Sequence, residues 1–97
     1  MASYQLRSKV FVYGGFATWR FIGVPEKQGR EIKKKYGARA KGWGSLPVTV
    51  TIGDTTWDTS IFPDKKSGSY LLPLKAKIRK TEEIADDSIV SYRLRLR

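Results

Sequence analysis

Residues 57–80 read WDTSIFPDKKSGSYLLPLKAKIRK, and the fold turns on this stretch. Trp57, Thr59 and Ile61 alternate with polar neighbours, so they share one face of a strand. Pro63 is expected to end that strand, because proline has no N–H to give to a ladder. Asp64 to Ser69 is a polar loop. Tyr70-Leu71-Leu72 is a short strand, with Pro73 at its corner. The period then changes. Leu74 and Ile78 lie four apart, and Lys75, Arg79 and Lys80 fall on the other side, which predicts a short basic helix over 74–81.

Working outward, Leu46 to Ile52 alternates Val48, Val50 and Ile52 against Thr49 and Thr51. Gly53-Asp54-Thr55 turns this strand into the next, Thr56 to Phe62, and together they make the clearest hairpin of the chain. Trp57 is expected to point inward onto Val50, Ile52 and Ile61. On the far side, Asp86-Asp87 is a turn and Ser88 to Leu96 a final strand. Val90, Tyr92, Leu94 and Leu96 point inward there, and Ser91, Arg93 and Arg95 outward.

The first half repeats the theme. Tyr4 to Tyr13 alternates Tyr4, Leu6, Val10 and Val12 against Gln5, Arg7 and Lys9. Gly14-Gly15 is a turn signal. Phe16 to Val24 returns, with Ala17, Trp19 and Phe21 on one face and Thr18, Arg20 and Ile22 on the other. Large residues on both faces predict cover on both sides. Pro25 is expected at the first position of a helix running to Tyr36, with Gly37 as its stop. Val24, Gln28, Ile32 and Tyr36 form a thin apolar stripe. Glu26–Arg30 and Glu31–Lys35 are spaced as helical ion pairs. Six or so short strands and two helices in 97 residues predict one mainly β domain, a small barrel with helices near 26–36 and 74–81.

Composition removes several chemistries. The chain has no cysteine, histidine or asparagine. A thiolate nucleophile, a histidine base, a catalytic triad and an imidazole or sulfur metal site are therefore excluded within it. A non-catalytic protein without a cofactor is the expectation. No secretory signal is legible at the start, no apolar run reaches the length of a membrane span, and a cytoplasmic setting is expected. The formal net charge is +10. From Lys27 to Lys41 seven basic residues stand against one acid, Glu31. Such a run is either a solvated face or a surface for phosphates or another acidic partner. Gly37 to Ser45, a glycine-punctuated loop with Arg39, Lys41 and Trp43, does not match a phosphate-binding loop motif.

The pattern W-x-T-S-[IL]-F-P-D followed by G-S-Y-L-L-P-L-K-A-x-I-R-K resembles the signature of the bacterial domain-of-unknown-function family 1905. Trp57, Thr59, Ser60, Phe62, Pro63, Gly68, Tyr70, Leu72, Pro73, Lys75 and Arg79 carry it, and the likeness extends along the chain to Trp19 and Pro25. Members usually have Gly-Asp before the last strand, where this chain has Asp86-Asp87. The resemblance implies a closed barrel of the double-split type, an architecture also found in antitoxin and transition-state-regulator DNA-binding domains. It does not carry a function with it.

Two sets of candidate residues follow. Trp19, Arg20, Phe21, Trp57, Ser60, Tyr70, Lys75 and Arg79 would give a ligand site, a cationic rim over an aromatic floor suited to an anionic or planar molecule. The same aromatics also suit a plain core. Lys33, Lys34, Lys35, Arg39, Lys41 and Trp43, with the outward Arg93, Arg95 and Arg97, would serve nucleic acid. Two weaker arrangements are Ser60 activated by Lys75, and a divalent-cation site at Glu82, Glu83, Asp86 and Asp87. A solvated acidic turn is the plainer reading of the second.

Overall fold

A computed structural model describes residues 3–12 and 19–97. Six antiparallel strands close into a barrel: β1 (Ser3–Val12), β2 (Arg20–Gly23), β3 (Leu46–Ile52), β4 (Thr55–Asp64), β5 (Ser69–Pro73) and β6 (Ile89–Leu96). Around the barrel the order is β1-β2-β5-β4-β3-β6, closing from β6 back onto β1. Two helices accompany it, α1 (Glu26–Tyr36) and α2 (Ala76–Thr81). The expected Gly14-Gly15 turn lies outside the described residues.

The alternation seen in the sequence becomes the barrel wall. Leu46, Val48, Val50 and Ile52 of β3 and Val90, Tyr92, Leu94 and Leu96 of β6 are buried, and their neighbours face out. Leu6, Val10, Ile22, Ile61, Tyr70 and Leu72 complete the interior. Trp57 lies opposite Val50 in the β3–β4 pair and packs on this core, half-buried. Its indole Nε1 is enclosed without a hydrogen-bond partner.

Several boundaries differ from expectation, each for a physical reason. Pro63 does not end β4, which runs on to Asp64 with Pro63 opposite Tyr70. Tyr70 turns its carbonyl to Val24 instead (2.9 Å), so Pro63 faces a non-hydrogen-bonded position and its missing N–H removes no bond. Pro25 caps α1 from outside the helix at φ −51°, ψ 139°, and its carbonyl accepts the Gly29 N–H at 2.8 Å. Gly37 is not a left-handed stop. It is right-handed (φ −56°), and the chain tightens into a 3₁₀ turn over Gly37–Arg39. Pro73, Leu74 and Lys75 are extended, so α2 begins only at Ala76. Val12 sits at the barrel rim and is exposed.

Helix α1 lies against β5 at one close point. Gly29 is buried, and a Cβ there would come within 2.6 Å of the Ser69 Cβ and overlap its hydroxyl. Ser69 is buried too, and its hydroxyl donates to the Val24 carbonyl at 2.7 Å. This contact covers the outer face of β5, while Tyr70 and Leu72 fill its inner face.

Candidate functional site

Strand β2 positions the first group. Ile22 points into the barrel, which leaves Phe21 on the outer face beside Trp19. The Trp19 and Phe21 rings stack, with centroids 6.1 Å apart and planes 11° apart. Phe21 also meets Phe11 across the β1–β2 pair, at 6.2 Å. Opposite Phe21 stands Pro73, after which Leu74 turns inward and gives its N–H to the Arg20 carbonyl at 2.9 Å. This bond sets the start of α2 beside Trp19. Lys75 and Arg79, four apart, then project on one side of α2. The Arg79 Nε donates to the Leu74 carbonyl at 3.2 Å.

The result is an external pocket of about 300 Å³ lined by Trp19, Pro73, Leu74, Lys75, Ala76 and Arg79. Trp19 is 54% exposed. Two cations and an indole face share this space, with no carboxylate in its lining. Such a lining can hold a flat ring by stacking and its negative charge by ion pairing.

Other members of the proposed ligand set are elsewhere. Arg20 holds the fold, its Nε donating to Asp86 Oδ1 at 2.6 Å and so tying β2 to the loop before β6. Tyr70 belongs to the core, and burial raises its phenol pKa. Trp57 packs on the core from β4. Ser60 lines a different and larger pocket of about 490 Å³, with Tyr36, Arg39, Lys41, Ser45 and Arg97 among its neighbours. Ser60 and Lys75 therefore do not share a pocket.

The larger pocket lies where α1 runs into its 3₁₀ turn. The Arg39 guanidinium sits over the Tyr36 ring at 5.5 Å and donates to the Arg97 carbonyl at 2.6 Å. The Arg97 N–H in turn donates to the Pro47 carbonyl at 3.0 Å. Next in the chain, Lys41 and Ser45 form an isolated bridge, with the Gly44 and Ser45 N–H groups both donating to the Lys41 carbonyl. Gly42 (φ 43°) and Gly44 (φ 89°) supply the left-handed backbone this turn needs. At its tip Trp43 is 92% exposed.

The lysine run does not form one face. Consecutive helical residues point about 100° apart. Lys33 borders a small pocket beside Asp64 and Lys65, Lys35 lies 3.9 Å from Glu31, and Arg30 is 3.6 Å from Glu26. Of the expected nucleic-acid set, Arg39 and Lys41 meet Arg97 in the larger pocket, and Trp43 stands on the turn that follows Lys41. Three of the four acids of the α2–β6 connection face partners elsewhere in the fold. Glu82 accepts from Thr55 at the β3–β4 turn, Asp86 holds Arg20, and Asp87 lies 3.9 Å from Lys9. Asp87, not Asp86, takes the left-handed backbone there (φ 65°). Among the described residues no group of three or more such side chains is placed to hold a metal ion.

Sequence reasoning missed Tyr36, Ser45 and Pro73 as pocket residues. Pro73 carried a signal, since it belongs to the same pattern as Lys75 and Arg79. Tyr36 and Ser45 carried none, because only the closure of β3 onto β6 brings them beside Arg97.

Fold and surface define a small closed antiparallel barrel with a helix packed on one wall and an aromatic–cationic pocket on its outside. Residues 7–94 match the family described as domain of unknown function (DUF1905), and the chain belongs to that family. None of the curated proteins matches this sequence. No helix among the described residues is long and apolar enough to cross a membrane.

Proposed function

We propose that this domain is a non-catalytic binding module whose ligand is a small planar anion held between Trp19, Lys75 and Arg79. The observation that carries this reading is the half-exposed Trp19 ring, stacked on Phe21 and sharing one pocket with two cations. A large aromatic left half open beside like-charged side chains suits a ligand that supplies a ring and a negative charge. Five of the six lining residues, Pro73, Leu74, Lys75, Ala76 and Arg79, fall within the pattern that carries the family resemblance, and the likeness extends to the sixth, Trp19. Binding without chemistry is supported by the lack of histidine and cysteine and by the separation of Ser60 from Lys75.

The three tryptophans provide the test, because each reports a different place: Trp19 the pocket, Trp43 the glycine turn, Trp57 the core. Naphthalene-2-carboxylate titrated against labelled protein is expected to move the Trp19 indole signal in a proton–nitrogen spectrum, ahead of the other two. Its neutral amide should bind more weakly. Trp19→Ala and Lys75→Gln should each weaken binding by roughly threefold to tenfold. Equal binding of acid and amide, or a response confined to Trp43 or Trp57, would reject the site.

A second reading is favoured by one further observation, the near-complete exposure of Trp43 on the turn between Lys41 and Ser45, both of which line the Arg39–Arg97 pocket. It is nucleic-acid binding at that end of the barrel, largely electrostatic and weakly sequence-selective.

A further inference from the structure

The cations around Trp43 do not stop at the larger pocket. Arg97 lies at its edge, and Arg95 and Arg93 precede it on the outward side of β6. Outward residues on one strand repeat every two positions, about 6.8 Å, comparable to the step between phosphates on an extended single strand. The neighbours in register are small and polar. Arg95 lies between Ser3 of β1 and Thr49 of β3, and Arg93 between Gln5 and Thr51. Shallow clefts of about 280 and 220 Å³ border these two arginines. Among the described residues β1, β3 and β6 hold no acid, Asp64 of β4 lies at that strand's far end and accepts from Ser67, and the remaining acid of these strands is Asp58. It is already engaged, accepting from Thr49 at 2.7 Å and lying 3.9 Å from Arg97.

We infer that a single strand of nucleic acid crosses this end of the barrel, with one base stacked on Trp43 and its phosphates running past Arg39, Lys41 and Arg97 to Arg95 and Arg93. This rests on the second reading above and adds a path and a strand state to it. The path follows the charge. The strand state follows from Trp43: a ring standing clear of the fold on a hydrogen-bonded turn offers its face to an unpaired base, which a duplex does not present. The outer face of β6 carries no helix that would enter a major groove. Lys33, Lys34 and Lys35, which point in separate directions on α1, are not part of the path.

The test is fluorescence anisotropy with a labelled oligo-dT of about twelve nucleotides, within the usual span of such sites. A duplex of the same length is run beside it, and both are titrated over a series of salt concentrations. Wild type is expected to prefer the single strand, with log affinity falling by about 0.7 per phosphate neutralised against log salt. Arg93→Gln with Arg95→Gln should make that slope shallower by about 1.4. Trp43→Ala should weaken single-strand binding about tenfold and leave the slope unchanged, since it removes stacking and no charge. Circular dichroism confirms that each variant is folded. No binding of either oligonucleotide overturns the second reading and the path with it. Binding whose slope is unchanged in the double arginine variant overturns the path alone. Equal duplex binding, or displacement of the strand by polyglutamate as readily as by unlabelled oligo-dT, overturns the single-strand assignment.

Discussion

Glycine is needed at two places around helix α1, for opposite reasons. Gly29, inside the helix, has ordinary helical backbone and is glycine because Ser69 of β5 fills the space a side chain would take. Gly42 and Gly44, past the end of the helix, have positive φ and are glycine because of conformation. A Cβ on Gly42 would meet nothing within 4 Å. The first place closes the molecule and the second opens it, holding Trp43 away from the core. A residue chosen for space marks where the fold is welded, and a residue chosen for φ marks where the chain displays something.

The largest effect should come from breaking the weld. Alanine in a helix interior normally gains about 1 kcal/mol over glycine. At Gly29 the sign should reverse, because a Cβ would press on the Ser69 hydroxyl and Cβ and lie 3.0 Å from its Cα. Gly29→Ala should cost about 3 kcal/mol, the upper part of the range for overpacking. Adding Ser69→Gly should recover part of that loss. Thermal melts of the single and double variants measure both, and a raised Tm in Gly29→Ala would show that the α1–β5 contact is loose.

A similar loss is expected from alkali, again on the closed side of the comparison. Burial pushes the Tyr92 phenol from 10.0 up to about 12, against the smaller opposing effect of its hydrogen bond with Ser8. The folded state thus holds this proton more tightly than the unfolded chain. Its contribution is complete below about pH 10 and fades as pH rises towards 12, roughly 2–3 kcal/mol in all. Tyr4 titrates in the same direction, pushed to about 12 by burial and by Glu31. Denaturant midpoints over about pH 9–12 for wild type and Tyr92→Phe check it. A wild-type curve no steeper than that of Tyr92→Phe would refute the assignment.

These two cases also show what was legible in the sequence. Alternation revealed β3, β4 and β6, since each has one wet face and one buried face, and four-residue spacing revealed both helices. Gly29 was not legible, because a mid-helix glycine looks like a weakness until β5 is seen beneath it. Pro63 was misread because a proline's tolerance in a strand depends on which way its partner's carbonyl turns. The ligand set was legible by residue type only. Trp19, Lys75 and Arg79 meet because β2 pairs with β5, whereas Tyr70 and Trp57 turned to the core and Ser60 to another pocket. That sorting depends on barrel closure, which local periodicity does not encode. The lysine run could not be resolved into a face by eye, because closeness in sequence is not a shared face on a helix.

The open side should respond more gently. Gly44→Ala forces a side chain into left-handed backbone, at about 1–2 kcal/mol. The new Cβ would also lie 3.0 Å from the Pro63 ring. Gly29→Ala should reduce stability and leave the Trp43 turn intact, whereas Gly44→Ala should disturb the turn and lower stability less. The Trp43 indole signal and a melt, taken on both variants, separate the two effects. A Trp43 signal displaced equally by both substitutions would remove the distinction between the two places.

The smallest change in stability is expected for Trp43→Ala, and here smallness is the informative result. Burying a large side chain normally contributes about 1.5–3 kcal/mol, and truncating a core tryptophan costs about 3–5. Trp43, at 92% exposure, contributes almost none of this. Its turn is held by backbone bonds from Gly44 and Ser45 to Lys41, which the substitution leaves in place. The melting free energy should therefore move by less than about 0.5 kcal/mol in either direction. Trp57→Ala, the same substitution on a ring packed against the barrel, should cost about 2–3 kcal/mol, below the full core value because Trp57 is half-buried. A destabilised Trp43→Ala would mean that the ring rests on the protein in solution and is unavailable to a base. An unchanged melt joined to weakened oligonucleotide binding would make Trp43 a residue kept for contact, on the part of the chain where glycine serves conformation.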